Sequence, residues 1–340
     1  MQKFFKRMLP LVLAVCLLSG CGQSGEELSD EQAEVDLTQT EEVAPEEAYV
    51  DVTPLDEVEL EDEAVALAAS PALDTMLVPE ASGTQTKENS KAVIDYSNTK
   101  DGYVMVKYTA STSKRLKAQL KGPTTTYTYN ITAGKWETFP LSDGNGNYQV
   151  TVYENISGSK YSTVLSASFT ASMTDEFAPF LRPNQYVDYE NAPNTVAKAK
   201  ELTAGMTDPL QKVKAVYDFV VNNLTYDKQL AATVQSGYLP VLDSVLASKK
   251  GICFDYAALM TGMLRSQGVP CKLVVGYAGT AYHAWISVWS EETGWINGAI
   301  YFDGTSWQRM DPTFASSGRQ SAAIMQYIGD GKNYTAKYFY

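Results

Sequence analysis

Residues 249–256 read KKGICFDY and place a cysteine, Cys253, directly before a run with helical spacing. Apolar side chains then recur three or four residues apart up to Leu264, as on the buried face of an amphipathic helix. Gly251 breaks the preceding segment and Gly268 ends the run, so the sequence predicts a helix that begins at or near Cys253. The free N–H groups at a helix start stabilise a thiolate. The alternative is that this cysteine is simply a small buried apolar residue.

The first 20 residues have the features of a signal peptide. Three basic residues between positions 3 and 7 precede an apolar run, Leu9–Leu18. That run is too short to span a bilayer, which needs about 20 residues. Residues 18–21, LSGC, resemble a bacterial lipobox, which implies cleavage before Cys21 and lipid attachment to it. We therefore expect a lipid anchor in the cell membrane, on its extracytoplasmic face; an ordinary signal peptide or an uncleaved anchor are the alternatives.

A strongly acidic segment follows the predicted lipidation site. Residues 22–80 contain 19 Asp or Glu and no Lys or Arg, although the whole chain carries a net charge of −13. The remainder from Ala81 onward is slightly basic, at +3. Self-repelling charge and few aromatic residues predict a disordered linker over residues 21–90. About 60 flexible residues span roughly 45 Å, which would hold the folded body away from the membrane. A specific binding site for a partner is the alternative.

Residues 91–175 show the period-two pattern of strands. Thr, Tyr and Val alternate with other residues, and turn clusters separate the runs. Strands are predicted in the segments 103–108, 124–132, 148–153 and 161–169. About seven short strands in this length predict an immunoglobulin-like β-sandwich. Residues 143–146, DGNG, are interpreted as a hairpin turn and not as a calcium loop, because the rest of such a loop is missing.

Helical patterns fill the segment between the predicted sandwich and Cys253. Asn194 is placed to cap a short helix that runs to Leu202. The sequence 207–209, TDP, is a strong helix start because a capping residue precedes a proline in the first turn. Asp243 is placed to cap another short helix that leads to Cys253.

Only two cysteines, Cys253 and Cys271, lie beyond the predicted lipidation site. The predicted helix of about 14 residues would separate them by about 21 Å, whereas the Cα atoms of a disulfide lie within about 7 Å of each other. We therefore predict two free thiols. In an exported protein, a free thiol at a helix start points to a chemical role.

The single histidine of the chain, His283, begins a predicted strand. The preceding strand, 271–277, covers about 20 Å and returns the chain to the level of Cys253. The turn at Gly279 then brings His283 beside the cysteine. A histidine among aromatic residues is alternatively a packing residue.

Residues 307–313, WQRMDPT, supply a third chemical group. The Asp311 carboxylate can orient His283 and stabilise its charged form. Asp255 lies on the helix of Cys253, and we expect no catalytic role for it. For Asp311 to reach His283, residues 291–298 must form an excursion at the far end of the sheet, with residues 307–311 running back beside the strand of His283.

These motifs together resemble the bacterial transglutaminase-like superfamily. The pattern consists of G-x-C before a helix, then Gly-Tyr at 276–277, His-Ala-Trp at 283–285 and the segment 307–313. The resemblance implies an α+β, papain-like core with an antiparallel sheet over residues 190–318. It implies Cys253 as nucleophile, His283 as base and acid, and Asp311 as the residue that orients His283. The N–H of Cys253 and the side chain of Tyr226 are candidate oxyanion donors.

The expected activity is acyl transfer at amide bonds of proteins or wall peptides through a thioester, with hydrolysis slightly favoured. Protein cross-linking and a catalytically idle envelope scaffold are the alternatives. One histidine and no cysteine cluster disfavour a metalloenzyme, and we expect no cofactor. The sequence has no basic stripe of the kind that indicates nucleic-acid binding. We expect a monomer, with a C-terminal extension, residues 319–340, that contains a short helix at 321–328 and whose aromatic end docks on the core.

Overall fold

The computed structural model describes residues 34–36, 76–290, 294–297, 301–302, 307–308, 313 and 334–340. The predicted signal peptide, the lipidation site Cys21 and the candidate orienting residue Asp311 lie outside the described residues. All of the described residues belong to one compact unit.

The N-terminal half consists of two antiparallel sheets. Their strands are β1 (Glu34–Asp36), β2 (Thr86–Glu88), β3 (Ala92–Asp95), β4 (Tyr103–Tyr108), β5 (Leu116–Lys121), β6 (Thr126–Ile131), β7 (Trp136–Pro140), β8 (Gly146–Ser157) and β9 (Lys160–Ala171). One sheet has the order β1-β9-β8-β5-β6 and the other β2-β3-β4-β7. The strands predicted at 103–108, 124–132, 148–153 and 161–169 are confirmed.

Strand β6 shows why these segments form sheets. Tyr127, Tyr129 and Ile131 are buried, whereas the alternate residues are more exposed. The ring of Tyr129 stacks on Phe139 of β7, in the other sheet, with centroids 4.3 Å apart. Asp143, in the predicted hairpin turn, accepts hydrogen bonds from the N–H groups of Thr124 and Thr125 at 2.9 and 2.7 Å. The carboxylate therefore ties two loops together.

The predicted disordered linker contains two segments with regular structure. Residues Glu34–Asp36 pair with β9, and β2 pairs with β3. The outer edges of β9 and β3 carry backbone groups that another strand can satisfy, and an acidic sequence does not prevent backbone pairing. Composition alone did not predict these two strands.

Five α-helices lie between residues 193 and 266, a segment that the structure describes throughout. They are α1 (Pro193–Leu202), α2 (Pro209–Asn223), α3 (Lys228–Thr233), α4 (Leu242–Ser248) and α5 (Cys253–Ser266). Two short parallel strands, β10 (Thr225–Tyr226) and β11 (Lys250–Gly251), join this region. The predicted start of α2 is confirmed: the Asp208 side chain caps the helix by accepting a hydrogen bond from the Leu210 N–H.

The predicted caps of α1 and α4 are wrong. Helix α1 begins at Pro193, because proline suits the first helical position, and Asn194 therefore lies inside the first turn. The N–H groups of Asn194 and Thr195 donate to the Asp243 carboxylate at 3.1 and 2.8 Å. Asp243 lies in the first turn of α4, whose N-cap residue is Val241. Asp243 therefore caps α1 from a different helix.

A further antiparallel sheet follows α5. It contains β12 (Cys271–Ala278), β13 (Ala281–Ser290), β14 (Gly294–Asn297) and β17 (Tyr334–Phe339), in the order β14-β13-β12-β17. Strands β15 (Tyr301–Phe302) and β16 (Trp307–Gln308) pair only with each other among the described strands. Strand β14 pairs with the far end of β13, as the predicted excursion requires. The expectation that residues 307–311 run beside β13 is not met at 307–308: among the described residues these two pair with β15 and form no ladder with β13.

The C-terminal segment is an edge strand of this sheet. Strand β17 pairs with β12 on the side opposite β13. The next residue, Tyr340, exchanges backbone hydrogen bonds with Leu273 at 2.8 and 3.0 Å and is buried. Docking of the aromatic end is therefore confirmed, and the docked segment is a strand. The helix predicted at 321–328 lies outside the described residues.

Arg265, near the end of α5, holds three segments together. The guanidinium is buried and donates to the carbonyl oxygens of Cys271 and Arg182, both at 2.8 Å, and of Tyr340 at 2.5 Å. Because three donors point to three chain segments, this side chain fixes the end of α5 against β12 and the C-terminal strand.

Lys272 on β12 lies inside a group of aromatic rings. Its Nζ is 3.7 Å from the ring centroid of Trp295, 4.6 Å from that of Phe180 and 5.3 Å from that of Phe339. These rings belong to β14, to the connector after the N-terminal sheets and to β17. The ammonium group therefore contacts three separate segments through cation–π interactions.

Candidate active site

Helix α5 begins at Cys253. The preceding residue, Ile252, has an extended backbone, and Gly251 lies in β11. The prediction of a helix that begins at or near Cys253 is therefore confirmed. Cys253 is 2% exposed, and both it and Cys271 are free thiols, which confirms the prediction that they form no disulfide.

The first turn of α5 leaves backbone donors available. The Ile252 N–H donates to Asp255 Oδ2 at 2.9 Å, and the Tyr256 N–H donates to the Ile252 carbonyl at 3.1 Å. None of the described residues accepts a hydrogen bond from the N–H of Cys253 or Phe254. These two groups are the donors that an oxyanion at Cys253 would use.

Tyr226 lies beside the segment that leads into Cys253. It pairs with Gly251 in the short parallel ladder, and the N–H of the next residue, Asp227, donates to the Gly251 carbonyl at 2.8 Å. The tyrosine is half-buried and packs on the hydrophobic core. Its backbone is therefore close to the helix start, and its role as an oxyanion donor stays a prediction.

His283 lies on β13, opposite Gly276 of β12. It is 3% exposed, and its ring centroid lies 6.2 Å from that of Trp285 and 6.4 Å from that of Tyr334. A Cβ at Gly276 would lie 2.9 Å from the Trp285 ring. It would also lie 2.1 Å from the Thr335 carbonyl oxygen, so glycine at this position allows the backbone of β17 and the Trp285 ring to approach β12 closely.

One contact between α5 and β12 gives the position of Cys253 along the direction of β12. Cys271 Sγ lies 3.6 Å from Thr261 Oγ1 of α5. Cys253 is eight residues before Thr261, which corresponds to about 12 Å of helix. About 12 Å along β12 from Cys271 reaches Val275, next to Gly276, the partner of His283. The helix start and the histidine are thus at a similar level.

The register of β12 and β13 indicates which face of the sheet carries His283. Cys271 faces α5, and its cross-strand partner Val288 shares that face, as do Ile286 and Ala284 by strand alternation. His283 and Trp285 then lie on the other face. Within the described part of the chain, no hydrogen bond joins Cys253 and His283, so their predicted contact stays a prediction.

Comparison with known proteins gives the family context of this region. Residues 196–312 match the model of the transglutaminase-like superfamily. This region is a transglutaminase-like domain. The matched residues include Cys253, His283 and Asp311.

The transglutaminase-like domain has two similar curated proteins. A protein-glutamine gamma-glutamyltransferase of Pseudomonas aeruginosa is 29% identical over 120 residues, which are 31% of this chain and 18% of that protein. An uncharacterized protein of Bacillus subtilis, YebA, is 27% identical over 117 residues, which are 29% of this chain and 16% of that protein. The match thus spans less than a fifth of either relative.

A solved structure is also similar to this chain. The periplasmic domain of TgpA from Pseudomonas aeruginosa is 19% identical, covers 76% of this chain and 80% of its own, and gives a TM-score of 0.31.

The predicted site residues of the transglutaminase-like domain differ in how far the structure describes them. Cys253, His283 and Tyr226 lie in described elements, whereas Asp311 lies outside the described residues. Its role as the orienting carboxylate stays a prediction. Among the described residues, no three His, Cys, Asp or Glu side chains converge as a metal site would require, and no helix is both long and apolar enough to cross a membrane.

The structure adds residues that the sequence-based site lacked. The ring of Tyr334 of β17 contacts that of His283, and the apolar residues Tyr334, Ala336 and Tyr338 alternate with polar ones, a strand signal that could have revealed this segment. The position of Asp255, three residues after Ile252, is a helix-start signal. Its second partner, the hydroxyl of Tyr238, lies 2.7 Å from Oδ1 and has no such signal in the sequence.

Proposed function

We propose that this protein is a cysteine acyl-transfer enzyme in which Cys253 is the nucleophile. The observation that supports it best is the position of Cys253 as the first residue of α5, with the N–H groups of Cys253 and Phe254 unclaimed by any described residue. His283 as base and acid and Asp311 as its orienting partner follow from the resemblance to the transglutaminase-like superfamily, and both residues lie within the matched range, residues 196–312.

The proposed reaction has two acyl-transfer steps. The Cys253 thiol loses its proton to His283 and attacks an amide carbonyl, and the oxyanion receives hydrogen bonds from the helix N-terminus. The carbon–nitrogen bond then breaks as the His283 imidazolium protonates the leaving amine, which leaves a thioester. An acceptor that donates a proton to His283 cleaves the thioester and restores the thiol. The reaction requires the imidazole to come within hydrogen-bonding reach of Sγ.

The acceptor distinguishes two activities of the proposed enzyme. Water would release a carboxylic acid, and we favour this hydrolysis of protein or wall-peptide amides. An amine would form a new amide, and the name of one relative, protein-glutamine gamma-glutamyltransferase, supports that second candidate. The third candidate is an envelope scaffold without catalytic activity. The reactivity of Cys253 distinguishes it from the enzyme.

We further propose that the protein is a monomer held at the extracytoplasmic membrane face by lipid on Cys21. The lipobox-like segment and the acidic residues that follow it support this location. Incorporation of labelled palmitate that is lost in Cys21→Ala would agree with it. Labelling that persists in this variant would contradict it.

We also propose that the N-terminal sheets form an immunoglobulin-like sandwich over residues 91–175, followed by the catalytic domain at 190–318 and an extension from 319. The alternation of successive strand pairs between the two sheets supports the sandwich: β3 and β4 lie in one, β5 and β6 in the other.

Thiol labelling tests the proposed nucleophile. Iodoacetamide should alkylate Cys253 with a pH dependence that changes in His283→Ala, measured by mass spectrometry of the peptides. Cys271 is an internal control, because burial raises the pKa of its thiol to about 11, although Arg265 and Thr261 partly oppose this effect. Alkylation of Cys253 with an ordinary thiol profile, unchanged in His283→Ala, would support the scaffold.

The reaction products separate hydrolysis from transfer. Wall extracts and surface proteins would be incubated with wild type and with Cys253→Ala, and analysed by mass spectrometry. New termini that depend on Cys253 are expected for hydrolysis, and new isopeptide links for cross-linking. If neither product is detected, both proposed activities lose their support.

A further inference from the structure

A buried carboxylate supports the turn that carries Cys253. Asp255 is fully buried, and its two oxygens have separate partners: Oδ2 accepts from the Ile252 N–H at 2.9 Å and Oδ1 from the Tyr238 hydroxyl at 2.7 Å. Burial raises the pKa of Asp255, although both hydrogen bonds oppose this effect. The carboxylate is thus bound on one side to the helix start and on the other to a loop.

Gly251 makes this arrangement possible. A Cβ at Gly251 would lie 2.6 Å from the Asp255 Cβ, which is closer than side-chain carbons approach each other. Glycine here therefore lets the Asp255 side chain fold back against the incoming chain. Asp255 then uses the N–H of Ile252, outside the helix, and leaves the N–H groups of Cys253 and Phe254 free of it.

Tyr238 belongs to the loop between α3 and α4, and this loop also meets the N-terminal sheets. Gly237 has a φ of +86°, which favours glycine, and a Cβ there would lie 2.9 Å from the Asn130 Nδ2 of β6. The loop that carries Tyr238 therefore passes close to the Asn130 side chain of β6.

An ordinary helix cap would explain the bond from Ile252 to Asp255 but not the bond from Tyr238. A capping carboxylate at a helix start is satisfied by backbone N–H groups and faces water. Here the carboxylate is buried, so its second oxygen needs a donor, and that donor comes from another segment. The hydrogen-bonded chain therefore links loop 234–241 to the first turn of α5.

From these contacts we infer that Tyr238 and Asp255 are positioning residues for Cys253. They fix the first turn of α5 so that the thiol and the free N–H groups keep the geometry that acyl transfer needs. This role rests on the proposed function. Neither residue is proposed to touch the substrate.

Acylation by p-nitrophenyl acetate tests this role without the natural substrate. The burst of p-nitrophenol measures acylation of the thiol, and peptide mass spectrometry locates the acetyl group on Cys253. Tyr238→Phe keeps the ring and removes the hydroxyl; we expect about a tenfold slower burst, because small displacements of a reacting group have large effects on rate. The matched control is Tyr148→Phe, which removes a hydroxyl that donates to the Gly144 carbonyl at 2.7 Å in the N-terminal sheets.

Two further variants separate positioning from general stability. Asp255→Asn removes a negative charge near Cys253 and should move the midpoint of the pH–rate profile to lower pH, a shift that loss of stability alone does not cause. Gly251→Ala should slow the burst at least as much as Tyr238→Phe, because its Cβ would lie 2.6 Å from the Asp255 Cβ. Gly205→Ala is a control for the added methyl group, since a Cβ there would have no atom within 4 Å.

Hydrogen exchange provides a readout that needs no reaction at all. The Tyr256 N–H closes the first turn by donating to Ile252, and its exchange should be about tenfold faster in Tyr238→Phe than in wild type. A burst and an exchange rate that both equal those of wild type would overturn the inference. If wild type gives no burst, the proposed function fails, and the exchange rate alone decides whether Tyr238 holds the turn.

Discussion

At the scale of single residues, Asp243 has more hydrogen bonds than its position on a short helix suggests. Its carboxylate accepts from the backbone and side chain of both Asn194 and Thr195, at 2.8 to 3.1 Å. Burial raises the pKa of Asp243, but these hydrogen bonds outweigh it and the net effect lowers the pKa. The charged form is therefore favoured in the folded state.

We predict that Asp243→Ala lowers the free energy of unfolding by about 1–2 kcal/mol, because α1 loses its cap. Urea denaturation at neutral pH measures the change. Asp218→Ala is the matched control: among the described residues this carboxylate pairs with Lys214 on the surface of α2, and its loss should change stability by less than about 0.5 kcal/mol.

The effect of Asp243 should also depend on pH. Because its pKa is lower in the folded state, the contribution is present above the unfolded value of about 3.9 and is lost as the pH falls through the folded value. The stability difference between wild type and Asp243→Ala should therefore decrease in acid. An equal difference at all pH values would contradict the role of the charge.

At the scale of elements, Arg265 connects α5 to the C-terminal strand. Burial lowers the pKa of its guanidinium to about 10, so the group remains charged at neutral pH. Its three acceptors lie in different segments, and a lysine ammonium cannot reproduce the fixed spacing of these donors.

We predict that Arg265→Lys lowers the free energy of unfolding by about 2–4 kcal/mol, because buried carbonyl oxygens lose their donors. Hydrogen exchange should show that residues 334–340 lose protection first. The control is Arg115→Lys, at an exposed arginine, and it should have a small effect. Equal stability of the two variants would contradict the role of Arg265.

The elements differ in how far the sequence predicts them. Helix α5 and strands β12 and β13 have strong local signals, namely helical spacing, glycine stops and alternation, so their positions follow from the sequence. Strand β17 depends on a partner, β12, that lies about 60 residues earlier in the chain, and the cap of α1 depends on Asp243. Such contacts between distant segments are decided by packing, which periodicity does not record.

The candidate site follows the same division. Cys253 is predictable because a helix start has its own sequence signal, and His283 because the chain has one histidine. The bond from Tyr238 to Asp255 and the ring contact from Tyr334 to His283 join residues 17 and 51 positions apart. The sheet face that carries His283 depends on the register of β12 and β13, which the sequence does not fix.

At the scale of the whole molecule, the N-terminal sheets and the helical region share one hydrophobic core. Tyr186 of the connector links them: its ring centroid lies 5.8 Å from Tyr129 of β6, 5.6 Å from Phe254 of α5 and 4.4 Å from Tyr340. These residues belong to one continuous cluster of apolar side chains. Two regions with different sequence patterns thus contribute side chains to the same hydrophobic core.

We predict that residues 76–340 unfold in a single cooperative transition. Calorimetric and van't Hoff enthalpies should agree, and signals from the sheets and the helices should change together. Tyr186→Ala should shift this transition to lower temperature as a whole, because it removes a ring that contacts both sides of the shared core. Two resolved transitions in wild type would show that the core does not couple the two regions.

Lys272, which lies among aromatic rings, should make the tryptophan fluorescence depend on pH. Burial lowers the pKa of Lys272 to about 8, although Glu176 partly opposes this effect. The folded state therefore loses this proton at a pH where the unfolded chain keeps it, and the stability relative to Lys272→Met should rise with pH from about 8 to about 10.4. Because the ammonium lies over the indole of Trp295, its discharge should also change the tryptophan emission near pH 8. A fluorescence titration would then report, without an added dye, whether β12, β14 and β17 are packed together around Lys272.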